Sequence, residues 1–189
     1  LKVNKCTFDG VIKPKNLKLN INKWIYNELI ETKILTENFI KNYRFDEAAK
    51  TIYKFVWNTY CDWYLELSKT ILLSKNNSDI NEVKTTSGQV FKEILILLHP
   101  FIPFITEELW IRNKLKTKNT KYLMYSNWIS LKKLKTDKSI QSVNEIIELI
   151  SSVRSFKNEL NVSPGSFVDI SIEKLDKKKQ MLYLKNEII

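Results

Sequence analysis

Phe45, Ala49, Ile52, Val56, Tyr60, Trp63 and Leu67 recur at intervals of three and four residues, a helical period sustained over about six turns. A stripe this long rules out a strand and predicts one spine helix. A single amphipathic helix is not stable alone, so the apolar side must be covered by other helices.

The rest of the chain supplies them. Ile25, Leu29, Leu35, Phe39 and Tyr43 mark a first helix over about 21–42, and Asn42-Tyr43-Arg44 turns the chain into the spine. A polar loop at 74–79, with Asp79 as its expected cap, leads into a third helix marked by Val83, Ser87, Val90, Ile94 and Leu98. That helix is predicted to stop at His99-Pro100, and a fourth to open at Thr106 with Glu107 and Glu108 near its positive end. Short links between four helices imply an antiparallel bundle. Residues 113–137 read as a Lys- and Asn-rich loop whose aromatics, Tyr122 to Tyr125 and Trp128, pack back onto it.

Beyond the bundle, Val143, Ile146, Ile150, Val153 and Leu160 predict a fifth helix, and Ser163-Pro164-Gly165 turns the chain. Residues 167–173 alternate like a strand and 177–188 read as a helix cut short. The expected organisation is a linker over 1–20 arriving from an upstream domain, a helical bundle over 21–137, a fifth helix over 138–162 packing on it, and a truncated α/β subdomain over 163–189. The fold class is mainly α, followed by the start of that small α/β unit. Three Gly and four Pro in 189 residues leave little material for a loop-rich fold.

The net charge of +10, from 31 basic and 21 acidic residues, favours a polyanionic partner, but charge alone does not separate nucleic acid from a membrane surface or plain solubility. Nearly all the basic residues are Lys, Arg standing only at 44, 112 and 154. Lys50, Lys54, Asn58 and Lys69 share the polar side of the spine, a strip of about 30 Å that could follow a nucleic-acid backbone. Asp62, Leu65, Glu66 and Lys69 share a face through spacings of three and four, so Leu65 stands among charges outside the core stripe. Trp57, Tyr60, Trp63 and Tyr64 are expected together in the core.

Catalytic chemistry finds no footing. One His, at position 99, excludes a multi-His metal site and a choice of Ser-His-Asp sets, and it reads as a helix-end residue. Cys6 and Cys61 lie far apart and read as reduced thiols. Phosphate-cradling glycine motifs are absent. No catalytic, cofactor-binding or metal-binding residue is predicted.

Three longer segments then suggest a family. Asn42-Tyr43-Arg44-Phe45-Asp46-Glu47-Ala48-Ala49, followed by Trp57-Asn58 and Cys61-Asp62-Trp63-Tyr64-Leu65-Glu66-Leu67, resembles the spine of the anticodon-binding domain of valyl-tRNA synthetases. Leu97 to Trp110, with its His-Pro-Phe-Ile-Pro-Phe core, is similar to a segment that valyl, isoleucyl and leucyl enzymes share more loosely. Val153 to Gly165 is similar to the valyl family's helix and turn leading to its C-terminal region. The resemblance covers roughly 20–173.

It implies a class I synthetase that activates valine with ATP and esterifies valine tRNA, of which this chain holds the tRNA-gripping bundle and none of the ATP motifs. Leu65 matches a position the family turns toward the anticodon, with Asp62, Glu66 and Lys69 as neighbours. Lys50, Lys54 and Asn58 are the backbone candidates. A cytoplasmic monomer is expected, with neither DNA nor a membrane as partner. The equivalent domain of an isoleucyl or leucyl enzyme, and a non-catalytic helical scaffold for protein partners, are the alternatives.

Overall fold

Each expected helix forms, but the spine does not keep the period that predicts it. A computed structural model describes residues 16–115, 121–128, 138–163, 165–169, 171 and 176–185. Helix α1 runs Asn20–Lys41. The spine is three consecutive pieces: α2 at Phe45–Lys54, a π-helical segment at Phe55–Leu65, and α3 at Glu66–Leu72. Helices α4 (Asn77–Leu98), α5 (Pro103–Arg112), α6 (Lys138–Glu159) and α7 (Lys177–Lys185) follow. Between α5 and α6 the described residues include a short turn at Leu123–Tyr125.

The π segment changes which residues face inward. Its i→i+5 bonding brings residues four and five apart onto one face in place of three and four. Phe55, Tyr60 and Tyr64 are therefore buried, Val56, Cys61 and Leu65 are half-buried beside them, and Trp57, Asn58 and Asp62 turn outward. The expected core position of Trp57 is thus overturned. Trp63 is half-buried, packed on the core while the Arg154 guanidinium covers its ring at 4.9 Å.

Helix α4 is the most enclosed element, touching α1, α2, α3 and α5. Thr86 to Val90 and Glu93 to Leu97 are all buried, on every side of the helix. Around it, Trp24, Ile25, Leu29, Tyr60, Tyr64, Val90, Ile94, Leu97 and Trp110 form one core, extended by Leu123, Ile140 and Val143. On α1 the predicted stripe holds through Leu29 and then departs: Leu35 and Tyr43 are exposed while Thr32 and Thr36 are buried. The reason is that α1 is covered by both α2 and α6, so its inward face is wider than one stripe.

Polar bonds tie the helices together at fixed registers. Glu82 of α4 accepts from the backbone N–H of Lys18 (3.2 Å) and Leu19 (3.0 Å) and from Asn22 Nδ2 (2.9 Å), placing a carboxylate at the positive end of α1. Trp24 Nε1 donates to Asn144 Oδ1 at 2.8 Å and holds α6 on α1. Trp128 Nε1 donates to Glu37 at 2.7 Å, and Glu107 accepts from Leu123 N at 2.8 Å, so the described part of 113–137 docks on α1 and α5. Met124 and Tyr125 nevertheless stay exposed.

Two helix starts lie three residues earlier than expected. Asn76, not Asp79, caps α4: its Oδ1 accepts from Ser78 N at 3.1 Å while its Nδ2 donates to Asp79 at 2.9 Å. Pro103, not Thr106, opens α5, since proline's fixed φ and missing N–H fit a first helical position. Three helices end on a non-glycine residue in the left-handed region, Tyr43 (φ 58°), Lys114 (φ 53°) and Asn161 (φ 54°). Each is followed by a backbone bond spanning five residues, such as Arg44 N to Phe39 O at 2.9 Å.

Of the expected α/β unit, the helix is present as α7 but no strand forms among the described residues. Residues 167–169 and 171 run without a neighbouring strand, and the remainder of 167–173 lies outside the described residues, as do residues 1–15 of the expected linker.

Candidate nucleic-acid interface

One exposed stripe follows the outer side of the spine. Lys50, Tyr53 and Lys54 on α2, Trp57, Asn58 and Asp62 on the π segment, and Glu66 and Lys69 on α3 are all exposed. The change of helical period keeps them in line, because 58, 62 and 66 are four apart where the face turns more slowly. Six of the seven residues singled out in the sequence lie on it. Leu65 does not: it is half-buried against the core, next to the stripe.

Charge divides the stripe in two. Among the described residues neither Lys50 nor Lys54 has an ion-pair partner, and residues 50–58 contain no carboxylate. Further along, Lys69 Nζ reaches Glu66 Oε1 at 2.7 Å and Oε2 at 2.8 Å, which neutralises that pair and leaves Asp62 as the local charge. The first half can therefore hold phosphates. The second offers carboxylates, which only accept and would meet amino or imino N–H groups on base edges. Both halves are water-accessible, so the Glu66–Lys69 ion pair adds little to stability.

Sequence reasoning missed two residues of the stripe, Tyr53 and Trp57. Their rings stack at 6.3 Å between centroids with planes 4° apart. The signal was the interleaving of Lys50, Tyr53, Lys54 and Trp57 at intervals of three and four, but Trp57 was expected in the core and Tyr53 was given no role. Arg154, exposed over Trp63, was also missed.

No nucleophile or metal centre accompanies the stripe. Burial first, and the neighbouring Asp62 charge second, push the Cys61 thiol above its ordinary range, so this free thiol stays protonated. His99 is held in a turn, with Nδ1 at 2.8 Å from Thr106 Oγ1. Among the described residues no group of three or more His, Cys, Asp or Glu could hold a metal, and no helix is long and apolar enough to cross a membrane.

The sequence that builds this bundle has relatives among known proteins. Residues 22–172 match the family model described as "Anticodon-binding domain of tRNA ligase". The chain belongs to that family. It is 56% identical over all 189 residues to the valine-tRNA ligase of Pelagibacter ubique (strain HTCC1062), covering 22% of that relative. It is 36% identical over 172 residues, 90% of this chain, to the valine-tRNA ligase of Bartonella quintana (strain Toulouse), covering 19% of it. A 109-residue match at 45% identity, 58% of this chain, links it to the valine-tRNA ligase of Bartonella henselae, covering 12% of that relative. The chain thus spans about a fifth or less of the length of the curated relatives it matches.

Proposed function

We propose that this chain grips the anticodon arm of valine tRNA as part of a valine-tRNA ligase, a cytoplasmic enzyme that activates valine with ATP and esterifies it to tRNA. The observation that carries this reading is the 56% identity over the full 189 residues to a protein named for that activity. The exposed stripe supplies a physical route. Lys50, Lys54 and Asn58 take the phosphate backbone, and Asp62 and Glu66, with Lys69 paired to Glu66, face splayed bases of the loop. Leu65 contributes from the edge, offering the uncovered part of its side chain as an apolar contact. ATP and valine find no site among the residues argued above, so activation falls to other parts of the ligase. A monomer suffices for this reading.

The test is binding to a valine tRNA transcript, and to the same transcript with its middle anticodon base changed, across a salt series. Affinity should fall steeply with salt, each phosphate neutralised adding about 0.7 to 0.9 to the slope, and should weaken on the base change. Absence of binding at low salt would overturn the reading.

A further inference from the structure

Tyr53 and Trp57 are 62% and 57% exposed, although each is large enough to serve the core. The fold does not need them outside. On the opposite side of the same rod Phe55, Tyr60 and Tyr64 complete the packing, and the register of the π segment is what turns Trp57 away. Two parallel stacked rings one turn apart, 6.3 Å between centroids and 4° between planes, present exposed aromatic surface to solvent together. Lys50 and Lys54 stand three residues before Tyr53 and Trp57, and no carboxylate lies between positions 50 and 58.

Flat rings beside cations without an ion-pair partner among the described residues match a group that is planar and aromatic on a polyanionic chain. A peptide partner with an apolar side chain would use the rings but not the cations. Every base presents a π face, so stacking accepts any base, while the ammonium groups fix the flanking phosphates. We infer that Tyr53 and Trp57 form a stacking platform for an unpaired nucleobase of an RNA loop, with Lys50 and Lys54 on the phosphates beside it. This deepens the tRNA-binding reading and rests on it. It adds a second contact on the spine, earlier in the chain than the cluster at Asp62 to Lys69.

The experiment compares the wild type with Trp57→Ala, Trp57→Phe and Lys50→Ala/Lys54→Ala for binding to a valine tRNA transcript, with blunt duplex RNA as a loop-free control. Each protein is also melted thermally. Trp57→Ala should weaken tRNA binding by roughly 5- to 100-fold, leave the salt slope and the melting midpoint unchanged, and leave duplex binding untouched. Trp57→Phe should retain most of the affinity. The double Lys variant should instead lower the salt slope by up to about 1.4. Wild-type binding that Trp57→Ala does not alter overturns the platform while leaving tRNA binding standing, as does an equal loss on duplex RNA. Failure of the wild type to bind tRNA at all overturns both.

Discussion

Tyr64 donates its phenolic hydrogen to Asn22 Oδ1 at 2.8 Å, and both residues are 0% exposed. The bond joins α1 to the π segment, and Glu82 of α4 closes it from the other side through Asn22 Nδ2. Because neither group can reach water, removing one partner leaves the other desolvated. Tyr64→Phe should therefore cost about 1–3 kcal/mol of unfolding free energy, measured by urea denaturation. A change below about 0.5 kcal/mol would mean Asn22 finds another donor inside the core.

The register of the π segment makes a second comparison. Leu65 packs half-buried on the core, while Asp62 beside it is exposed. Leu65→Ala should destabilise by about 1–2 kcal/mol, roughly half the loss of a fully buried Leu, and Asp62→Ala by no more than about 0.5 kcal/mol. Were the segment an ordinary α-helix with Leu65 on its polar face, the two substitutions would be equally harmless.

That comparison also shows where sequence reading stops. Helices α1, α4, α5 and α6 were legible because their apolar spacing, polar loops and Pro residues act locally. The spine was legible as a helix but not in phase: Phe55, Tyr60 and Tyr64 are spaced five and four, yet a template of threes and fours selects Val56, Tyr60 and Trp63 from the same residues. The phase error hid Trp57 in an imagined core and put Leu65 outside, so the ring stacked on Trp57, Tyr53, drew no attention. The polar residues Lys50, Lys54, Asn58, Asp62, Glu66 and Lys69 are exposed as expected, because they are solvent-facing under either period. Arg154 could not be assigned, since its partner Trp63 lies far away in the chain.

A buried carboxyl gives the fold a pH signature. Glu93 on α4 is pushed above its ordinary value of 4.5 chiefly by burial, with the Gln89 amide and the Lys92 charge pulling the other way. The native state then binds the proton more tightly than the unfolded chain, so this group raises stability as pH falls from its native value toward 4.5 and lowers it at higher pH. Glu93→Gln keeps an acceptor for Gln89 and removes the charge. It should be more stable than the wild type at pH 7–8, with the gap closing as pH approaches about 4.5. Thermal melts across that range decide it, and a gap independent of pH would contradict the assignment to ionisation.

Arg154 and Trp63 link the second half of α6 to the π segment, with the guanidinium 4.9 Å from the ring centroid. Trp24 and Asn144 hold the first half of α6 to α1 at 2.8 Å, so the helix is fastened at two points of different chemistry. The second point is partly solvated, because Arg154 is exposed, and a cation over an indole there is worth about 0.5–1 kcal/mol. A double-mutant cycle isolates it: Trp63→Leu removes the ring, Arg154→Ala removes the cation, and the double variant removes both. The losses should fall short of additivity by about 0.5–1 kcal/mol, because each single variant already forfeits the shared contact. Arg154→Ala should also speed amide exchange near residues 150–159 more than near residues 140–147, since the Trp24 anchor stays intact. Additive losses with uniform exchange would show that α6 is held by its apolar face alone and that the arginine merely lies over the ring.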